Sequence, residues 1–161
     1  MHSLVEELSL LLLSKNIMLA TAESCTGGLI AHRLTNVPGA SAIFPQGMVA
    51  YANDAKTSLL GVDANLITTR GAVSAEVCAA MAHGCLHAAG TDHALAVTGI
   101  AGPGGGSEEK PVGTVFVGLA SRGIEEPLVE RFLFKVERET FKQLASQAAL
   151  DLLRRRLCRM V

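Results

Sequence analysis

Thr21-Ala-Glu-Ser-Cys-Thr-Gly-Gly28 follows a short apolar run, Ile17 to Ala22, and opens onto Leu29-Ile-Ala-His-Arg-Leu34, which is spaced like a helix. The run is short enough for a buried strand, so a small hydroxyl residue in the turn would stand at the carboxyl end of a parallel strand, where open α/β sheets hold their ligands. A second glycine-rich stretch, Thr98-Gly-Ile-Ala-Gly-Pro-Gly-Gly-Gly106, follows another apolar run and repeats the signal.

Outward from these two turns the chain alternates helix and strand. Leu4, Leu8, Leu11 and Leu12 predict a first helix over 3–14, ending near Lys15-Asn16. The helix after the first turn should run from about Gly28 to Asn36 and stop before Pro38-Gly39. Ala42 to Tyr51 reads as extended, with Pro45 at its start, and Asn53 or Asp54 as the cap of a short helix through Leu60, closed by Gly61. Ser74 caps the helix Ala75 to Ala89, whose Val77, Ala80, Met81 and Cys85 form an apolar stripe and whose small residues predict close packing on a sheet. Ala94 to Thr98 is a central strand, Val112 to Ala120 and Pro127 to Lys135 an antiparallel hairpin, and Phe141, Leu144, Ala148 and Leu152 mark a helix from about Glu137 to the end. The order α-β-α-β-α-α-β-β-β-α predicts an α/β fold, a three-layer α/β/α sandwich on a mixed, mostly parallel sheet, forming a single domain over 1–161.

Composition narrows the class. With 161 residues and 49% apolar content there is material for one full core. Lys and Arg total 14 against 15 Asp and Glu, a net charge of −1 that leaves no electrostatic footprint for nucleic acid. Arg154, Arg155, Arg156 and Arg159 read as cations favouring a helix C-terminus. Leu10 to Leu13 is too short to span a bilayer and follows Glu6 and Glu7, where a signal peptide would be basic. Cys25, Cys78, Cys85 and Cys158 form no CxxC pair, so free thiols and a cytoplasmic location are expected.

The stretches TAESCTGGLIAHRLTNVPGAS (21–41), GMVAYANDAKTSLLGV (47–62), GAVS before a helix (71–74) and AVTGIAGPGGGSEEKPVGTVFVGLA (96–120), in this order, resemble the C-terminal domain of the CinA proteins. That family includes stand-alone nicotinamide-nucleotide amidases, and the resemblance spans roughly residues 3 to 157. It implies hydrolysis of the nicotinamide amide of nicotinamide mononucleotide to nicotinate mononucleotide and ammonia, with a small nucleotide as substrate and no metal or other cofactor. Two other readings stay open: a nucleotide-binding or regulatory module associated with competence and DNA damage, and an amidase for another small carboxamide.

Amide hydrolysis needs a nucleophile, a base and donors for the oxyanion. Ser24 is the nucleophile candidate, with the amides of Cys25 to Gly28 at a positive helix end and Gly27 and Gly28 leaving room for substrate. The residues alone favour an ordinary N-cap serine; the family pattern points to catalysis. Cys25 is the rival, as a thiol at a helix N-terminus has a lowered pKa. His32 lies two helical turns on, so the base candidate is Lys56, a lysine that burial could make neutral, with Tyr51 bridging Ser24 and Lys56 through its hydroxyl. Their competing reading is a solvated lysine and a half-buried tyrosine.

Thr98, Gly99, Gly102, Gly104 and Gly105 read as a wall of the site that contacts nucleotide or supplies oxyanion donors, with structural turn glycines as the alternative. Glu23 and Thr26 flank the nucleophile, placed to orient the lysine or the substrate ribose. His83 and His87 have the spacing of a zinc pair, but HExxH is absent and Cys85 belongs to another face, so no metal is expected. The chain departs from the family pattern at Gln46-Gly47, at Val136-Glu-Arg138, where Arg138 keeps a substrate-binding position, and at Phe141-Lys-Gln143, where a basic pair is usual. An apolar composition poor in aromatics is read as a sign of a homo-oligomer.

Overall fold

Ser3 and Glu6 form a reciprocal capping box, the Ser3 hydroxyl accepting from the Glu6 amide and the Glu6 carboxylate from the Ser3 amide, which starts helix α1 (Leu4–Lys15). The computed structural model describes residues 1–159, so the expected helical character of Met160 and Val161 lies outside the described residues. Asn16, left-handed at φ 54°, ends α1 and turns the chain into β1 (Leu19–Glu23), all of whose residues are buried. Then come α2 (Leu29–Thr35), a 3₁₀ turn (Ala40–Ala42), β2 (Gln46–Val49), α3 (Asn53–Leu60), α4 (Ala64–Arg70), α5 (Ala75–Ala89), β3 (His93–Gly99), β4 (Thr114–Ser121), β5 (Leu128–Leu133) and α6 (Arg138–Cys158).

The sheet is five-stranded, in the order β2-β1-β3-β4-β5. β2, β1 and β3 pair in parallel, with Ala22 opposite Met48 and Ala96, whereas β3-β4 and β4-β5 pair antiparallel, with Val97 opposite Val117. The sheet is mixed as expected: its pairings divide evenly, but four of its five strands run in one direction and β4 alone is reversed. The reason is the hairpin β4-β5, which joins the open edge of a βαβ core with its first strand reversed.

Strand alternation divides the interior into two layers. Leu95, Val97, Val117 and Leu119 face Leu8 and Leu12 of α1, Ile30 and Leu34 of α2, and Phe141, Leu150 and Leu153 of α6. Ala20, Ala22, Ala94, Ala96 and Ala120 face the other way, toward Leu60 of α3, Ile67 of α4 and Val77, Met81 and Cys85 of α5. The small residues on that face let α5 approach closely: a Cβ on Gly118 would meet the Cys78 sulfur at 3.0 Å. Helices thus cover both faces, giving the expected three layers.

Three local expectations change. Ala42 to Tyr51 is not one strand, because Gly39 at φ 86° starts a 3₁₀ turn and pairing begins only after Pro45. α3 is capped by the backbone of Ala52 with no side-chain bond, so Asn53 and Asp54 lie inside its first turn. α4 was not foreseen; its signal is Asp63, whose carboxylate accepts from the Asn65 amide. Among the described residues no helix is long and apolar enough to cross a membrane.

α3 ends at Gly61, left-handed at φ 67°, and its last turn packs directly on α5. A Cβ on Gly84 would overlap the Leu60 carbonyl, a backbone group that cannot rotate away. Alanine is worth about 1 kcal/mol more than glycine inside a helix, but parting two packed helices typically costs about 1–3 kcal/mol and can exceed that. Gly84→Ala is therefore expected to be net destabilising, by up to about 2 kcal/mol in denaturant unfolding. An unchanged or higher midpoint would mean that α3 and α5 do not fix each other.

Candidate active site

β1 lies between two strands that the chain reaches over opposite faces: β2 through α2, and β3 through α3, α4 and α5. The carboxyl end of β1 is thus the switch point of the sheet, where an open crevice forms. Ser24 is the first residue beyond it. Its amide still donates to the Val97 carbonyl of β3 at 3.0 Å, while its own carbonyl accepts from the Gly27 amide at 3.0 Å and turns the chain back. Gly27 and Gly28, at φ 60° and 101°, occupy the left-handed region that a side chain disfavours.

The cap of α2 is Gly28, without a side-chain bond, so Ser24 is not an N-cap. Its hydroxyl is instead 3.0 Å from Nζ of Lys56, a residue 1% exposed on α3. Lys56 Nζ also donates to the carbonyls of Ala50 at 3.0 Å and Tyr51 at 3.2 Å. All three partners are neutral oxygens, and burial lowers the Lys56 pKa below its ordinary value, opposed only by the neighbouring Cys25. An ammonium has three N–H donors for these partners, whereas a neutral amine has two N–H bonds and a lone pair. In the neutral form, with the two carbonyls taking the N–H bonds, the lone pair would face the Ser24 hydroxyl.

Cys25 is 6% exposed, and burial, the largest influence, pushes its thiol up to about 12. The expected lowered thiol pKa is thus corrected: enclosure outweighs the short helix behind it, and the side chain is a neutral thiol at pH 7. The bridging role expected of Tyr51 is corrected too. Lys56 reaches Ser24 directly, and the exposed Tyr51 hydroxyl accepts from Arg138 Nη2 at 3.1 Å, so Tyr51 meets the lysine only through its carbonyl.

Ser24, Cys25, Tyr51, Asn53 and Lys56 line a cavity of about 270 Å³ with Thr98, Gly99, Gly102, Gly104 and Gly105, and Arg138 closes its rim. The second glycine stretch is therefore a wall of the cavity. Among the described residues Gly104 and Gly105 make no main-chain hydrogen bond, and a Cβ on Gly104 would meet nothing within 4 Å, so their amides are not committed to the fold. The Thr98 hydroxyl donates to the Ala72 carbonyl at 2.8 Å and ties the α4-α5 connection to the wall. Arg138, the first residue of α6, donates through Nη1 to the Gly102 carbonyl at 2.8 Å, joining the loop to Tyr51 across the opening.

Glu23, Thr26, Gly27 and Gly28 do not line the cavity. The Glu23 carboxylate turns back to accept from the Thr26 hydroxyl and the amides of Ile30 and Ala31, and Gly27 and Gly28, both at positive φ, shape the turn that carries Ser24. Asn53, Ala72, Val73, Ile100 and Ala101 line it without having been foreseen. Ala72 and Val73 belong to the GAVS stretch, and Asn53 was read as a cap; their signal was adjacency to family motifs rather than chemistry. His83 and His87 meet edge to face on the exposed side of α5, with centroids 4.8 Å apart, while Cys85 is buried on the opposite side.

Residues 1–157 match the family model "CinA C-terminal domain". A CinA-like protein of Geobacter sulfurreducens is 56% identical over 143 residues, 89% of this chain and 34% of the relative, so the chain spans about a third of the length of the curated relatives it matches. Two solved structures match along nearly their whole length. The competence/damage inducible protein CihA from Agrobacterium tumefaciens is 42% identical with a TM-score of 0.87, covering 94% of each chain. The competence damage-inducible protein A (ComA) from Klebsiella pneumoniae is 35% identical with a TM-score of 0.92, covering 96% of this chain and 95% of that one. By sequence along nearly its whole length and by fold, the chain belongs to the CinA C-terminal domain family.

Proposed function

We propose that this domain is an amidohydrolase that releases ammonia from the carboxamide of nicotinamide mononucleotide, with Ser24 as nucleophile and Lys56 as its base. The observation that carries the reading is the 3.0 Å contact between Lys56 Nζ and Ser24 Oγ, at a lysine 1% exposed and without a carboxylate among its partners. A lysine serving only stability would be expected at a carboxylate or in water.

In this mechanism neutral Lys56 takes the hydroxyl proton as Ser24 Oγ attacks the carboxamide carbon. The amides of the Gly104 and Gly105 loop supply donors to the oxyanion. Collapse breaks the C–N bond, protonated Lys56 gives its proton to the departing nitrogen, and ammonia leaves an ester on Ser24. Lys56 then deprotonates a water that attacks the ester, releasing nicotinate mononucleotide and restoring the serine. Arg138 at the rim supplies positive charge for the phosphate, held by Gly102 and Tyr51. The cavity, near the lower end of small-molecule sites, suits a mononucleotide.

Ser24→Ala is expected to lower ammonia release by about a thousandfold or more with the melting curve unchanged, and Cys25→Ala by less than about tenfold, because the thiol is neutral. Loss in the cysteine variant and retention in the serine variant would assign the nucleophile to Cys25. A folded wild-type chain that binds the nucleotide without releasing ammonia would favour a binding module instead.

As the Lys56 pKa is lowered and the base form is the neutral one, the rate should rise with pH through that lowered value and then level off. Lys56→Arg keeps the charge but cannot release it, so it should lose about as much rate as Lys56→Ala, on the order of a thousandfold. Arg138→Ala and Tyr51→Phe act on the rim, and should raise KM, by about tenfold or more for the arginine and less for the phenol, with kcat nearly kept. A near-normal Lys56→Arg rate with an unshifted profile would reduce Lys56 to a fixed charge.

A further inference from the structure

Glu23 is a buried acid outside the cavity, 1% exposed, and the mechanism above does not use it. We propose that Glu23 is the positioning residue for the Ser24 and Lys56 pair, acting from both its side chain and its carbonyl. This rests on the reading of Ser24 as nucleophile. Through the side chain, Oε1 accepts from the Thr26 hydroxyl at 2.7 Å and the Ile30 amide at 2.8 Å, and Oε2 accepts from the Ala31 amide at 3.1 Å. These bonds lash the turn that carries Ser24 to the first turn of α2, and a carboxylate suits amides at the positive end of a helix. Through the main chain, the Glu23 carbonyl accepts from the Ala50 amide at 2.9 Å, and the Ala50 carbonyl in turn accepts from Lys56 Nζ at 3.0 Å. One residue thus sets the turn that presents the hydroxyl and the peptide that aims the amine.

The chemistry calls for an acid and not merely a polar group. Both carboxylate oxygens accept, and every partner is a donor. In Glu23→Gln one oxygen becomes an NH₂ group; with Oε1 retained for Thr26 and Ile30, that group faces the Ala31 amide, donor against donor, at a side chain 1% exposed. Relief requires the turn to shift, and a displacement of about 1 Å at a reacting group can cost on the order of a hundredfold in rate. Thr26 is the same device at smaller scale, since it contributes one hydroxyl and no charge.

The test follows covalent labelling of Ser24 by a fluorophosphonate, read by peptide mass mapping across pH at temperatures where each variant is folded, alongside kcat and KM for nicotinamide mononucleotide. Labelling needs no knowledge of the natural substrate. Glu23→Gln is expected to label about 10- to 100-fold more slowly and to lose kcat to match. KM and the pH midpoint of labelling should stay at the wild-type values, because Glu23 touches neither substrate nor the lysine. Thr26→Val should slow labelling by about 3- to 10-fold and Thr26→Ser should restore it to within about twofold. A folded Glu23→Gln labelled at the wild-type rate, a raised KM with kcat kept, or a midpoint displaced by a full pH unit would each overturn the proposal. Should Glu23→Gln fail to fold, the threonine pair decides: loss in Thr26→Val with rescue in Thr26→Ser supports it, and wild-type labelling of Thr26→Val overturns it. A wild-type chain whose Ser24 takes no label overturns the nucleophile and this role with it, whereas a labelled chain that releases no ammonia overturns only the substrate.

Discussion

Lys56 is held out of water with only oxygens of a serine and two peptides for company, and the site depends on that constraint. Burial of an ammonium without a counter-ion is costly, so its folded-state pKa falls below the unfolded value near 10.5. Between the two values the unfolded chain holds more protons, so stability rises with pH there; below the folded value the full cost is present, and above about 10.5 it vanishes. The buried amine therefore costs the domain stability around neutral pH. A stability cost that persists at a cavity wall is what a reactive site looks like, because a lysine there for stability alone could turn outward.

The rest of the fold supplies the enclosure. The parallel core β2-β1-β3 brings the ends of three strands together, β1 delivering Ser24, the segment after β2 delivering Tyr51 and Lys56, and β3 running into the glycine loop. α5 packs on a face of alanines and against Leu60 in the last turn of α3, which keeps Lys56 pressed under the sheet end rather than free on the surface. Arg138, the first residue of α6, fastens the loop to the segment after β2. The candidate site is thus carried by short connections, and the helices hold them in register.

Much of this was legible in the residues. The three layers, the hairpin and the boundaries of α5 followed from period and caps, since Ser74 and Gly90 mark both its ends. Ser24 and Lys56 were singled out as a pair, and they meet. Side-chain direction was not legible, because local chemistry does not say which way a side chain turns. Glu23 and Thr26 adjoin the serine in sequence but point into α2, and the Tyr51 hydroxyl points to a residue 87 positions away. Cys25 was assigned the field of a helix end, whereas its burial dominates. Asp63 offered a plain cap, but α4 is short and follows α3 so closely that the two read as one helix and a loop.

The ionisation of Lys56 is the point on which everything else turns, and NMR of lysine side chains carrying ¹³C at Cε observes it directly. The resonance absent from Lys56→Met identifies the residue, and its titration is followed in the wild-type chain from neutral to alkaline pH. If Lys56 is the base of Ser24, its midpoint lies well below the ordinary lysine value of about 10.4 and coincides with the rise of Ser24 reactivity. A Lys56 that stays protonated through the pH range in which Ser24 reacts would contradict that role.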